Sequence, residues 1–171
     1  MSDNTERRDY ALRWTLSDGT SGETTITATV DNDFEQTSEL RVMAYAHRWG
    51  SVWAATEYVA VMRAACDVLT YKDVASFYIE RGDVAFPPLV TIAAPFAYEK
   101  LYALVWPDGD ASQHVEHVTV STDPDNRPFV FAAEGVGRSC GARSPIVALY
   151  ATACEMLCRS PVETFSIVEA S

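Results

Sequence analysis

The stretch GVGRSCGARSP (135–145) combines the residue types that commonly hold an anion. Glycine lets a backbone approach a ligand closely, and the Ser-Pro pair at the end of the stretch predicts that a helix begins there. The free N–H groups at a helix start attract negative charge, to which Arg138 and Arg143 would add two cations and Ser139 a hydroxyl donor. The stretch is therefore a candidate phosphate or small-anion site, and a plain connecting segment is the alternative interpretation.

Trp49 and Trp53 lie in HRWGSVW (47–53), which precedes another helix-like segment. Large aromatic side chains in a connecting segment can anchor a protein interface, or they can cover one edge of the core. The sequence favours neither interpretation over the other. Both tryptophans are therefore candidate binding residues, together with the arginines and the serine of the glycine-rich stretch.

The elements that must position these residues occur twice along the chain. With an offset of 88 residues, VAVMRAACDVL (59–69) aligns with VALYATACEML (147–157), and five of the eleven positions are identical. The pentapeptide YALRW (10–14) has a near copy in YALVW (102–106), at an offset of 92. Further matches lie between these segments in the same order. This arrangement predicts a tandem duplication.

Each copy has the pattern of three strands, a helix and a fourth strand. Tyr10, Leu12 and Trp14 alternate with small or polar residues, which is typical of a strand with one covered face. Apolar residues recur at the helical period in 52–70 and 144–158. The expected strands are 10–16, 24–30, 39–46 and 74–80, and then 102–106, 115–121, 128–133 and 162–168. We expect an α+β fold of two tandem β-β-β-α-β units, related by a pseudo-twofold axis, with a mostly antiparallel sheet and the helices packed on one face.

The expected domain organisation follows from the repeat. Residues 1–9 are polar and are expected to form a flexible tail, and residues 10–81 form the first unit. Residues 82–101 have no counterpart in the second copy, and their prolines indicate a connector. Residues 102–169 form the second unit. We expect both units to share one compact body.

Residues 10–83 resemble the opening part of the ribonuclease H-like fold. In that family a meander of three antiparallel strands is followed by a helix and a fourth strand. The SDGT turn after the first strand is similar to the family's Asp-Gly-Ser turn, and TEYVAVMRAA (56–65) resembles its first helix, which carries an early glutamate. The resemblance implies that Asp18, Glu57 and Asp83 hold two Mg²⁺ ions, which would activate water in a metal-dependent nuclease.

The chain is strongly acidic. It contains 13 Lys and Arg residues against 24 Asp and Glu residues, which gives a formal net charge of -11. Such a surface repels nucleic acid and anionic lipid at long range and attracts a basic partner. Direct nonspecific binding to nucleic acid and binding to membranes are therefore not expected. No apolar run approaches the roughly 20 residues of a membrane span, and the four cysteines form no C-x-x-C motif, so we expect a reduced, cytoplasmic protein.

These observations favour a non-catalytic, acidic protein-binding module that acts on a basic protein partner. An inhibitor that imitates the charge of nucleic acid is a special case of this hypothesis, and a homo-oligomer is compatible with it. No cofactor is expected, and Mg²⁺ enters only under the nuclease alternative. A phosphate or small-anion binder at the glycine-rich stretch is the third hypothesis.

Overall fold

The computed structural model describes most of the chain and shows an α+β fold. The described residues are 5–31, 40–46, 50–81, 84–86, 99–108, 112–122 and 131–170. Trp49 and Asp83, two of the predicted site residues, lie outside them.

Helices and strands alternate in a similar order in the two halves of the chain. In the first half the elements are β1 (Thr5–Leu16), β2 (Ser21–Asp31), β3 (Val42–Ala46), β4 (Val52–Ala54), α1 (Glu57–Leu69), β5 (Val74–Arg81) and β6 (Val84–Phe86). In the second half they are β7 (Glu99–Asp108), β8 (Ser112–Thr122), β9 (Phe131–Gly135), β10 (Arg138–Ala142), α2 (Pro145–Leu157) and β11 (Ser166–Glu169). Neither of these helices is long and apolar enough to cross a membrane, as far as the described residues go.

The strands form two antiparallel sheets, one in each half. The order of the first sheet is β4-β3-β2-β1-β5-β6, and the order of the second is β10-β9-β8-β7-β11. Without β6, both orders follow one scheme, in which the first strand lies between the second strand and the strand after the helix. α1 packs on the first sheet, α2 packs on the second, and the two helices contact each other. The prediction of a mixed, antiparallel α+β fold is confirmed.

The repeated pentapeptide lies on the covered face of each sheet, as its alternation predicts. Tyr10 and Leu12 of β1 are 6% and 0% exposed, and Tyr102 and Leu104 of β7 have the same values. The tryptophan that ends each motif packs against the same core. Burial of these side chains supplies part of the hydrophobic free energy that holds each helix on its sheet.

The first strand begins earlier than predicted. β1 starts at Thr5 and pairs with β2 from there, so the predicted flexible tail is wrong from this residue onwards. Polar side chains in this part have partners. Thr27 donates to Asp9 at 2.8 Å, and Arg8 forms an ion pair with Glu57 of α1. The polar composition alone indicated a tail. The partners of these side chains are distant in sequence, so the sequence pattern did not reveal them.

Each half also contains a short edge strand that the sequence did not predict. β4 pairs with β3, and α1 begins at Glu57 instead of residue 52. β10 pairs with β9, so the predicted glycine-rich loop is a hairpin. The order in each half is therefore β-β-β-β-α-β, and the predicted order lacks one strand. In the predicted connector, β6 joins the edge of the first sheet, and residues 99–101 belong to β7.

Among the described residues, two backbone hydrogen bonds between the halves have matching positions. The N–H of Ala55 donates to the carbonyl of Cys158 at 2.7 Å, and the N–H of Arg143 donates to the carbonyl of Thr70 at 3.0 Å. Ala55 and Arg143 are 88 residues apart, and so are Thr70 and Cys158. Each half therefore joins the segment before its own helix to the end of the other helix.

Candidate functional site

Two of the predicted binding residues lie in one cleft. Trp53 is in the middle of β4, an edge strand of the first sheet, and is 39% exposed. Arg138 begins β10, an edge strand of the second sheet, and is exposed. Both line a cleft of about 400 Å³ together with Arg63, Glu155 and Arg159. We refer to it as the Trp53–Arg138 cleft.

Arg63 holds two walls of this cleft together. Its guanidinium forms an ion pair with Glu155 of α2 at 2.7 Å and donates to the backbone carbonyl of Trp53 at 2.8 Å. The two charged side chains are partly shielded, and such a pair is stronger than one in open solvent. Arg63 therefore fixes β4 against α2, and with it the position of the exposed indole.

Arg138 adds a positive charge to the cleft. Glu155 is engaged by Arg63, whereas Arg138 forms no ion pair within the part of the chain that the structure describes. Arg159 also lines the cleft. This local group of arginines lies on a chain with a net charge of -11. It is suited to a carboxylate on a bound molecule, with which arginine can form charge-assisted hydrogen bonds.

The hairpin that carries Arg138 has a strained turn. Its two turn residues, Val136 and Gly137, have φ angles of 48° and 73°, as a type I′ turn requires at both central positions. Glycine adopts this conformation easily, but a β-branched residue at positive φ is an outlier. Val136 is also 67% exposed, so burial does not explain the valine. Backbone strain of this kind concentrates at binding sites.

The glycines of the predicted anion loop have structural roles instead. Gly135 is buried in β9, and a Cβ there would lie 2.9 Å from the carbonyl oxygen of His117 and 2.9 Å from Sδ of Met156. Packing of α2 and β8 against this point therefore requires glycine. Gly137 serves the turn, and Gly141 lies within β10.

The predicted anion ligands do not converge. Arg138 begins β10 and Arg143 follows its last residue, Ala142, and the strand between them alone spans roughly 13 Å. Ser139 is exposed, on the face opposite Arg138. The helix start is closed, because Ser144 is 0% exposed and the N–H of Arg143 donates to Thr70. The predicted ligands therefore lie at separate points of the stretch, and the anion site stays a prediction.

Asp18 and Glu57, two of the carboxylates implied by the nuclease resemblance, are not brought together. Asp18 lies in the turn after β1, where hydrogen bonds from Thr20 lower its pKa. Glu57 contacts Tyr10, which lies eight residues earlier, towards the other end of β1. At about 3.3 Å per residue, the two carboxylates are on the order of 25 Å apart. The third residue, Asp83, lies outside the described residues.

Within the described ranges, the side chains include no group of three His, Cys, Asp or Glu that could hold a metal ion. Burial raises the pKa of the Cys140 thiol, which keeps it protonated and makes it a poor nucleophile.

Sequence reasoning missed Arg63, Glu155 and Arg159 as part of the cleft. A signal for Arg63 was present, because the residue 88 positions later in the aligned segment is Ala151. The pair of Arg63 with Glu155 has no local signal, since it joins two helices from different halves.

Comparison with known proteins adds no relative. Neither the known family models nor the curated proteins nor the solved structures contain a significant match to this chain. The function therefore has to be inferred from the residues of the chain itself.

Proposed function

We propose that this protein is a non-catalytic, acidic binding module that holds a protein partner in the Trp53–Arg138 cleft. The observation that carries the proposal is the exposed indole of Trp53 in one cleft with Arg138, which has no ionic partner within the described ranges. Tryptophan and arginine are the residue types that most often contribute large binding energies at interfaces. A side chain whose backbone is already fixed also loses less conformational freedom on binding.

We infer further that the two halves arose by tandem duplication and are related by a pseudo-twofold axis. Three observations support this inference: the shared order of strands, the 88-residue offset, and the reciprocal hydrogen bonds between the halves. Twofold symmetry produces an interface in which each contact has a counterpart with the two partners exchanged.

If the two halves arose by duplication, the residues that line the cleft are among those that have changed between them. At the position of Trp53 the second half has Gly141, and at the position of Arg138 the first half has Gly50. The helices and core strands kept their apolar pattern, whereas these residues near the sheet edges changed. Connecting segments on a retained scaffold are where binding commonly resides.

The proposed partner is a basic protein. The net charge of -11 would attract it at long range, and Arg138 would pair with a carboxylate at the contact itself. An inhibitor that imitates the charge of nucleic acid would use the same attraction. We place the protein in the cytoplasm, because its four free cysteines are typical of a reducing compartment.

Affinity capture tests this proposal. The wild type and the Trp53→Ala variant are immobilised and exposed to native lysate at about 0.1 M and about 0.5 M salt, and bound proteins are identified by mass spectrometry. We expect a basic protein that the wild type retains at the lower salt and releases at the higher salt, because ions screen charge attraction. The purified partner should bind Trp53→Ala at least about tenfold more weakly.

Tyr71→Ala is the matched control, since Tyr71 is a 62% exposed aromatic residue outside the cleft. This variant should bind the partner as the wild type does. Equal losses in both variants, or full binding by Trp53→Ala, would contradict the proposal.

A further inference from the structure

A second cleft, of about 520 Å³, lies at the start of α1. Its walls come from β1, from the ends of β2 and β3 and from α1, and the segment before β11 contributes from the other half. Small-molecule sites commonly have volumes of roughly 300–1,000 Å³. This cleft shares no lining residue with the Trp53–Arg138 cleft.

Part of the wall is apolar. Tyr10, Val30, Val42 and Tyr58 line the cleft. The hydroxyl of Tyr58 donates to the carbonyl of Phe165 at 3.2 Å, which fixes this ring between the halves. Aromatic and aliphatic walls favour a ligand with an apolar body.

Both carboxylate oxygens of Glu57 accept hydrogen bonds from neighbouring side chains. Its Oε1 accepts from the hydroxyl of Tyr10 at 2.5 Å, and its Oε2 accepts from the guanidinium of Arg8. Burial raises the pKa of Tyr10 to about 12, and the hydrogen bond to Glu57 adds to the effect. This network fixes one wall and leaves little charge for a ligand to meet.

Arg41 and Glu163 are the charged groups of the cleft that stay available. Arg41 precedes β3, Glu163 precedes β11 in the other half, and both are exposed. Within the ranges that the structure describes, neither forms an ion pair. A cation and an anion on walls from different halves suit a ligand that carries both charges.

The corresponding place near the start of α2 lacks these groups. The counterparts of Glu57, Tyr58, Glu163 and Thr164 are Pro145, Ile146, Ala75 and Ser76. The comparison rests on the duplication inferred as part of the proposed function. Glu57, Tyr58 and Glu163 therefore have no charged or aromatic counterpart at that place.

We propose that this cleft binds a free α-amino acid with an aromatic side chain. The ligand carboxylate pairs with Arg41, the ammonium group pairs with Glu163, and the side chain lies against Tyr10 and Tyr58. Each charge-assisted pair adds affinity and orientation, so blocking either end of the ligand removes one of them.

Isothermal titration calorimetry with L-phenylalanine, N-acetyl-L-phenylalanine and L-phenylalanine amide tests the assignment. The wild type should bind the free amino acid with a Kd below about 1 mM, and each blocked compound at least about tenfold more weakly. In Glu163→Gln the free and N-acetylated compounds should bind alike, because the group that recognises the ammonium is gone. In Arg41→Gln the free amino acid and its amide should bind alike, because the group that recognises the carboxylate is gone.

Glu134→Gln and Arg143→Gln are matched controls, since they change exposed charges outside the cleft and should bind as the wild type does. Three results would overturn the assignment: no binding by the wild type at about 10 mM ligand, equal binding of all three compounds, or unchanged affinity in both cleft variants. Trp53→Ala should leave the affinity for the amino acid unchanged. A failure here is therefore distinguishable from a failure of the partner-binding proposal.

Discussion

The hydroxyl of Thr56 donates a hydrogen bond to the carbonyl oxygen of Val162, in the other half of the chain, at 2.6 Å. The counterpart bond runs from the hydroxyl of Ser144 to the carbonyl oxygen of Val74, at 2.8 Å. Each hydroxyl stands at the start of one helix, and each carbonyl belongs to the segment that follows the other helix. The helix starts therefore tie the halves together.

Ser144→Ala is expected to destabilise the protein by about 1–3 kcal/mol, because the carbonyl of Val74 loses this donor in a buried position. Ser144 is 0% exposed, and its side chain caps no N–H of α2, so the change reports on the contact between the halves. Urea unfolding followed by circular dichroism measures it. Ser139→Ala removes an exposed serine and should stay within about 0.5 kcal/mol of the wild type. Equal effects in the two variants would show that the bond contributes nothing.

Cys66 of α1 and Cys154 of α2, the residue 88 positions later, are both buried. The interaction with Cys154 and the burial raise the pKa of the Cys66 thiol well above its ordinary value. Both thiols should therefore resist iodoacetamide at about pH 8, while the partly exposed Cys140 and Cys158 react at least about tenfold faster. Timed alkylation with peptide mass spectrometry gives the four rates. Similar rates at all four cysteines would argue against a closed contact between the helices.

Tyr10→Phe is expected to change the stability of the protein at alkaline pH. Burial, assisted by the hydrogen bond to Glu57, raises the pKa of Tyr10 to about 12 from an ordinary value of 10.0. Because the pKa is raised on folding, the contribution to stability is fully present below the unfolded pKa and is lost as the pH rises through the folded pKa. The wild type should exceed the variant by about 1 kcal/mol at about pH 8. The difference should shrink between about pH 10 and 12 in urea unfolding experiments, and a constant difference would contradict the role of the hydroxyl.

Local patterns were sufficient to predict the covered strands and the helices. The alternation of Tyr10, Leu12 and Trp14 identifies the buried face of β1, because the period of two is a property of the strand itself. The Ser144-Pro145 pair places the start of α2 correctly. The hydrogen bond donated by the Ser144 hydroxyl was not predictable, since its acceptor, the carbonyl of Val74, belongs to the other half.

The edge strands and the cleft depend on contacts that are distant in sequence. β4 has three residues, which are too few to show a period, and its strand character comes from pairing with β3. The sequence suggested that Gly135 is part of a loop. In the structure, close packing against Met156 explains why this position is a glycine. The Arg63–Glu155 pair joins two helices, and no pattern within either helix encodes it. The fold class was therefore predictable from the sequence, while the walls of the cleft were not.

Val136→Asn is expected to stabilise the protein. Val136 has a φ of 48°, and a residue with a branched Cβ is strained in this region by about 1–2 kcal/mol. Asparagine followed by glycine is a preferred pair for a type I′ turn, and Gly137 is already in place. Since Val136 is 67% exposed, the substitution gives up little burial. We expect a gain of about 1 kcal/mol, seen as a rise of about 2–4 °C in Tm.

Val115→Asn is the control for this substitution, because Val115 is a 46% exposed valine in the extended backbone of β8. There the loss of a β-branched residue from a strand should lower stability by up to about 1 kcal/mol. A Val136→Asn variant that does not melt above the wild type would show that the turn accommodates valine without strain. Because asparagine followed by glycine keeps the type I′ conformation, the stabilised variant should still carry Arg138 at the edge of the cleft and should bind the partner as the wild type does.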